Sequence, residues 1–105
     1  MDKIAWKGRI LDGKKAEYIK RHDEIWPEMA AVLKEAGICN YTIWCDGMNL
    51  FGYYECEKGA AYALEYQASS PVVAKWNVSM QGIMQMEKDP ATGERIMPER
   101  VFTLD

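Results

Sequence analysis

The sequence predicts an α+β fold in which helices cover one face of a small antiparallel sheet. Three observations carry this. Segments 3–10, 39–46 and 50–56 alternate in the two-residue period of a strand. Segments starting at Lys14, Gly59 and Pro71 follow the helical period. With a last short strand at Arg100 to Leu104, the order is strand, helix, strand, strand, helix, strand. That is the split βαβ order of ferredoxin-like folds.

The first strand places Ile4, Trp6 and Ile10 inward and ends at Asp12-Gly13. In the helical stretch that follows, Ile19, His22, Trp26, Met29, Leu33 and Ala36 are spaced for one face, and Gly37 is placed as the stop. Pro27 cannot donate to the carbonyl of Asp23, and Asp23 is a good N-cap. A kink or break near His22-Asp23 is therefore expected, leaving His22 at a helix end. Tyr41, Ile43 and Cys45 share one face of the second strand, with Asn40, Thr42 and Trp44 on the other. Asp46-Gly47 signals a hairpin into the third strand. Gly59 to Ala68 reads as a short helix. Pro71 to Met86 reads as another, with Val72, Trp76, Met80 and Ile83 or Met84 on one face. Glu87 to Glu99 is turn-rich.

No repeat or linker divides the chain, so residues 1–105 are expected to form one domain. A sheet covered on one face leaves the other needing a cover, which the sheet of a second copy or an enclosed ligand cavity would supply. The net charge of −3 gives no footprint for nucleic acid. No apolar run nears the ~20 residues of a membrane span, and no targeting segment is visible. Three cysteines without a C-x-x-C pair fit a reduced, cytoplasmic protein. A single histidine excludes a metal site built on several imidazoles. No phosphate-binding glycine loop or dinucleotide fingerprint is present.

Tyr18 and His22 lie four apart and stack on a helix face. His22 is either a core histidine satisfied by backbone groups or a general acid–base, since its ordinary pKa of ~6.5 puts both protonation states within reach. Tyr41 and Trp76 are either core aromatics or surfaces for a sugar: a ring packs on a sugar face, and a phenol binds its oxygens. Asp23, Glu24 and Glu28 could orient the imidazole, or simply face the positive end of a helix. Glu55 and Glu57 read as a solvated face, and the methionines as core filler.

The run Tyr18-Ile19-Lys20-Arg21-His22-Asp23-Glu24-Ile25-Trp26-Pro27-Glu28-Met29 resembles the signature of the L-rhamnose mutarotase family. Asn40 to Ile43 and Leu50 to Glu55 resemble its central strands. Trp76 with Met80 resembles its late helix, and Val101-Phe102 its closing strand. The resemblance implies a ferredoxin-like dimeric α+β barrel, a homodimer without metal or organic cofactor, acting on a small-molecule sugar. It implies a catalytic acid at His22 and sugar-binding residues at Tyr18, Tyr41, Trp76 and position 77. The typical pattern has tryptophan at that last position, where this chain has Asn77. The change removes a stacking surface and adds an amide, which bears on which deoxy-sugar is preferred and keeps L-fucose open. A ferredoxin-like monooxygenase and a non-catalytic sugar-binding module are the readings from other classes.

Overall fold

The computed structural model describes residues 1–104. Strand β1 (Asp2–Ile10) leads into α1 (Lys15–Asp23) and α2 (Pro27–Glu35). The hairpin β2 (Ile38–Asp46) and β3 (Asn49–Cys56) follows, then α3 (Ala60–Ala68), α4 (Pro71–Ser79) and β4 (Met84–Met86). The sheet order is β2-β3-β1-β4, and every neighbouring pair is antiparallel. This is the ferredoxin-like arrangement expected from the element order. Among the described residues, no helix is long and apolar enough to cross a membrane.

The core lies between the sheet and the helices. Ile4, Trp6, Ile10, Leu50, Tyr54 and Cys56 rise from the sheet to meet Tyr18, Met29, Ala63 and Trp76 of the four helices. Pro27 breaks the first helical stretch, as its missing N–H requires, and becomes the first residue of α2. The break also changes the phase. The face drawn through Ile19 and Ala36 does not survive it: Ile19 is 49% exposed, and Tyr18 is buried instead. Gly37 then turns the chain with φ +81°.

Two expectations near the C-terminus are corrected. The last helix stops at Ser79 rather than running to Met86. Gly82, at φ +81°, follows its end, and Met84–Met86 pairs with Gly8–Ile10 as the fourth strand. Methionines 80, 84 and 86 fit a helical and an extended reading alike, so spacing could not separate them. Arg100 to Leu104 is not a strand. It has no regular structure, and Val101, Phe102 and Leu104 are each more than three-quarters exposed. The turn-rich segment before it closes on itself through a bridge between Lys88 and Arg95.

A β-bulge interrupts β2. Cys39 pairs with Glu55 and Thr42 with Tyr53, so Asn40 and Tyr41 together oppose Tyr54. Asn40 takes φ +49°, a left-handed conformation that asparagine tolerates better than most residues. Its amide donates to Glu55 at 2.6 Å, and the Tyr53 hydroxyl donates to the same carboxylate at 2.7 Å. Glu55 therefore anchors the bulge instead of merely facing solvent. Bulges re-aim side chains, and this one turns Tyr41 to the helix side of the sheet.

Candidate active site

His22 sits in the last turn of α1, just before the chain breaks towards Pro27. Its Nδ1 lies 3.0 Å from the carbonyl oxygen of Tyr18. A carbonyl only accepts, so Nδ1 carries the proton, and Nε2 of the neutral imidazole keeps a free lone pair. The backbone orients the ring, not Asp23, Glu24 or Glu28. The ring lies 4.3 Å from that of Tyr18, tilted by 30°, and meets Trp76 edge-on at 5.5 Å. Trp26 also meets Trp76 edge-on, at 5.2 Å.

Arg21 ties α1 to α4. Its guanidinium bonds Glu17 at 2.8 Å and donates to the carbonyl of Ser79. Ser79 in turn bonds back to the carbonyl of Trp76 at 2.7 Å. The neighbour of His22 thus fixes the distance between the imidazole and the Trp76 indole.

Tyr41 is positioned from the sheet. The Trp6 indole N–H donates to its hydroxyl at 2.9 Å. The indole itself lies flat over Gly52, its partner across the ladder, where a Cβ would come within 2.0 Å of ring atoms. Gly52 is therefore needed for close approach rather than for an unusual backbone angle. The Tyr41 ring also packs on Tyr54 at 4.9 Å.

Burial sets the protonation states. It holds the His22 imidazole below its ordinary value of 6.5, against the opposing Tyr18 carbonyl and Asp23. It pushes the Tyr41 phenol up to about 12 and raises the Tyr18 phenol well above its ordinary range. Near neutrality the site therefore holds a largely neutral imidazole and two protonated phenols able to donate.

Tyr18, His22, Tyr41, Trp76 and Asn77 all line one cavity of about 1130 Å³ between the helices and the sheet. Residues on α1, β2 and α4, up to 59 positions apart, converge there. Asn77 reaches it from the exposed side of α4. Sequence reasoning placed Trp6 only in the strand core and missed that it holds Tyr41. It also missed the bulge, whose only local sign is Asn40. Lys88 and Arg95, from the turn-rich segment, line the same cavity and carried no signal in the sequence.

The comparisons with known proteins agree on one family. A family model described as L-rhamnose mutarotase matches residues 3–104. An L-rhamnose mutarotase of Rhizobium meliloti is 37% identical over 89 residues, covering 85% of this chain and 86% of the relative. One from Flavobacterium johnsoniae is 36% identical and covers 96% of this chain and 94% of the relative. The crystal structure of an L-rhamnose mutarotase from Formosa agariphila superposes with a TM-score of 0.79 at 29% identity, covering both chains completely.

Proposed function

The chain belongs to the L-rhamnose mutarotase family, and from that premise we propose that it interconverts the α and β anomers of free L-rhamnose, with His22 as the proton carrier. The observation that carries this reading is the His22 contact to the Tyr18 carbonyl: it holds Nδ1 and leaves Nε2 free on a half-buried imidazole, in a cavity that two protonated phenols and an indole also line.

Anomer exchange opens the pyranose ring to an aldehyde, turns about the C1–C2 bond and recloses on the other face. Opening moves one proton from the anomeric hydroxyl to the ring oxygen. These two oxygens are bonded to the same carbon, so one nitrogen can serve both. Nε2 takes the anomeric proton, and the resulting imidazolium delivers it to the ring oxygen as the C1–O bond breaks. Reclosure runs the same steps backwards. Among the described residues, no aspartate or glutamate lines the cavity to act as a separate base, and this scheme needs none. A depressed histidine pKa suits it, since the resting group is then a free base and its protonated form a stronger acid. Tyr18 and Tyr41 hold hydroxyls, and Trp76 packs on an apolar face of the sugar. One placed acid–base contributes ~10²–10⁴-fold, enough for a reaction that already proceeds in water.

Asn77 is the observation behind a second reading, in which L-fucose takes the place of L-rhamnose. An amide there adds a donor and an acceptor where the family pattern has an indole. Proton-NMR anomer exchange on both sugars decides it: acceleration of L-rhamnose supports the first reading, acceleration of L-fucose alone the second, and none with either sugar sinks both.

The chain is further proposed to act as a single domain and as a homodimer in the cytoplasm, without nucleic-acid or membrane partners. Trp44 and Phe51 on the open face of the sheet, 67% and 41% exposed, support the dimer. Three free cysteines support a reducing compartment. Monomeric mass in sedimentation at micromolar concentration would count against the dimer.

A further inference from the structure

The cavity is large for a six-carbon sugar: its volume of about 1130 Å³ exceeds the ~300–1,000 Å³ that encloses ligands of drug size. His22, Tyr18 and Trp76 occupy one part of the lining. Gln67, Gln81, Gln85, Lys88 and Arg95 border it as well, and anomer exchange uses none of them.

The charge of this lining is one-sided. Among the described residues, Lys88 and Arg95 are its lysine and arginine, and no carboxylate lines it. The chain as a whole has 16 acidic residues and a net charge of −3, and Glu87, Asp89 and Glu94 adjoin the two cations in sequence, yet none of the described acids lines the cavity. Among the described residues, the ion pairs are Lys7–Glu87 and Arg21–Glu17, and neither cavity cation takes part.

Geometry brings the two together. Lys88 and Arg95 face each other across an antiparallel bridge. The turn between them is closed by bonds from the Asp89 N–H to the Glu94 carbonyl (2.8 Å) and from the Gly93 N–H to the Asp89 carbonyl (2.7 Å). Like charges directly opposite each other on a ladder repel, and an anion seated between them relieves that repulsion. Arg95 also acts on two phenols that line the cavity: burial raises Tyr41 and Tyr54, and the guanidinium offsets part of that rise. Its planar fork is suited to two-point binding of a carboxylate, sulfate or phosphate.

We propose that the Lys88–Arg95 side of the cavity is an anion subsite, so that the site takes a free reducing deoxyhexose bearing an anionic group away from its anomeric carbon. This rests on the His22 reading, because such a sugar seats its anomeric carbon at Nε2. The anion has two sources: an ester on the deoxyhexose itself, or the carboxylate of an attached uronic acid.

The test measures anomer exchange by proton NMR for four sugars: L-rhamnose, a rhamnose monosulfate, a uronosyl-rhamnose disaccharide with a free reducing end, and a neutral hexosyl-rhamnose of the same linkage. At low salt, at least one anionic sugar is expected to show a kcat/KM about tenfold above its neutral counterpart. That ratio should shrink in high salt and in a Lys88→Gln/Arg95→Gln double variant. A preference for the sulfate alone assigns the subsite to a substituent on the deoxyhexose. A preference for the disaccharide assigns it to a second sugar unit. Equal rates for charged and neutral sugars, or a preference that survives the double variant, overturn the subsite. If L-rhamnose is still exchanged in that case, the His22 reading stands; if no sugar is exchanged, both fall.

Discussion

The two faces of the sheet are made by alternate residues of the same strands, yet they differ in everything that matters for chemistry. On the helix side, Trp6, Gly52 and Tyr54 are buried and Tyr41 is half-buried, with the Tyr41 hydroxyl pinned by an indole N–H and the phenols raised by desolvation. On the open side, Trp44, Phe51 and Lys3 meet solvent. The Trp44 indole donates to the nearby Thr42 hydroxyl, at 3.1 Å. Burial on one face thus converts ordinary residues into a site with fixed tautomers and directions. The same residue types on the other face stay interchangeable until something covers them.

The contrast is broken most sharply at His22. In a folded His22→Ala protein, kcat/KM for L-rhamnose should fall ~10²–10⁴-fold, as measured by NMR anomer exchange. Next comes the support beneath Tyr41. Gly52→Ala forces a Cβ into the Trp6 ring and should cost ~1–3 kcal/mol in denaturant unfolding. It should also weaken sugar binding, because Trp6 can no longer hold the Tyr41 hydroxyl. A smaller effect concerns stability against pH. The unfolded chain protonates His22 near 6.5, whereas the folded chain does so at lower pH because the half-buried ring is partly desolvated. Stability should therefore fall as pH drops through 6.5 and level off below the folded value. Thermal unfolding should lose that component in His22→Ala. The smallest effect on catalysis belongs to the open face. Trp44→Ser should leave the exchange rate per site within about twofold while weakening self-association in sedimentation, since Trp44 touches no part of the cavity.

The same contrast explains how much was legible in the sequence. The helix break at Pro27, the stop at Gly37 and the Asp46-Gly47 hairpin are local events, and single residues encode them. His22, Tyr18 and Trp76 were visible for the same reason, as part of periodic stretches and a dense motif. The Asn40 bulge depends on pairing with Glu55 and Tyr53, so strict alternation along β2 could not reveal it. The fourth strand was hidden because Met84 and Met86 satisfy two periods, and it is defined only by the edge of β1 that it completes. The apolar alternation of Arg100 to Leu104 resembles a strand, but among the described residues no edge pairs with it. Lys88 and Arg95 reach the cavity by a turn, and nothing in their neighbours announces where that turn lands.

The central claim is that a neutral, backbone-oriented His22 takes and returns the proton. The most direct measurement is the pH dependence of kcat/KM for L-rhamnose set beside an NMR titration of the His22 ring in the free protein. The account predicts that Nδ1 is the protonated nitrogen, that the ring titrates below 6.5, and that activity falls with the same apparent pKa as pH is lowered. Activity that stays level while His22 titrates would contradict it.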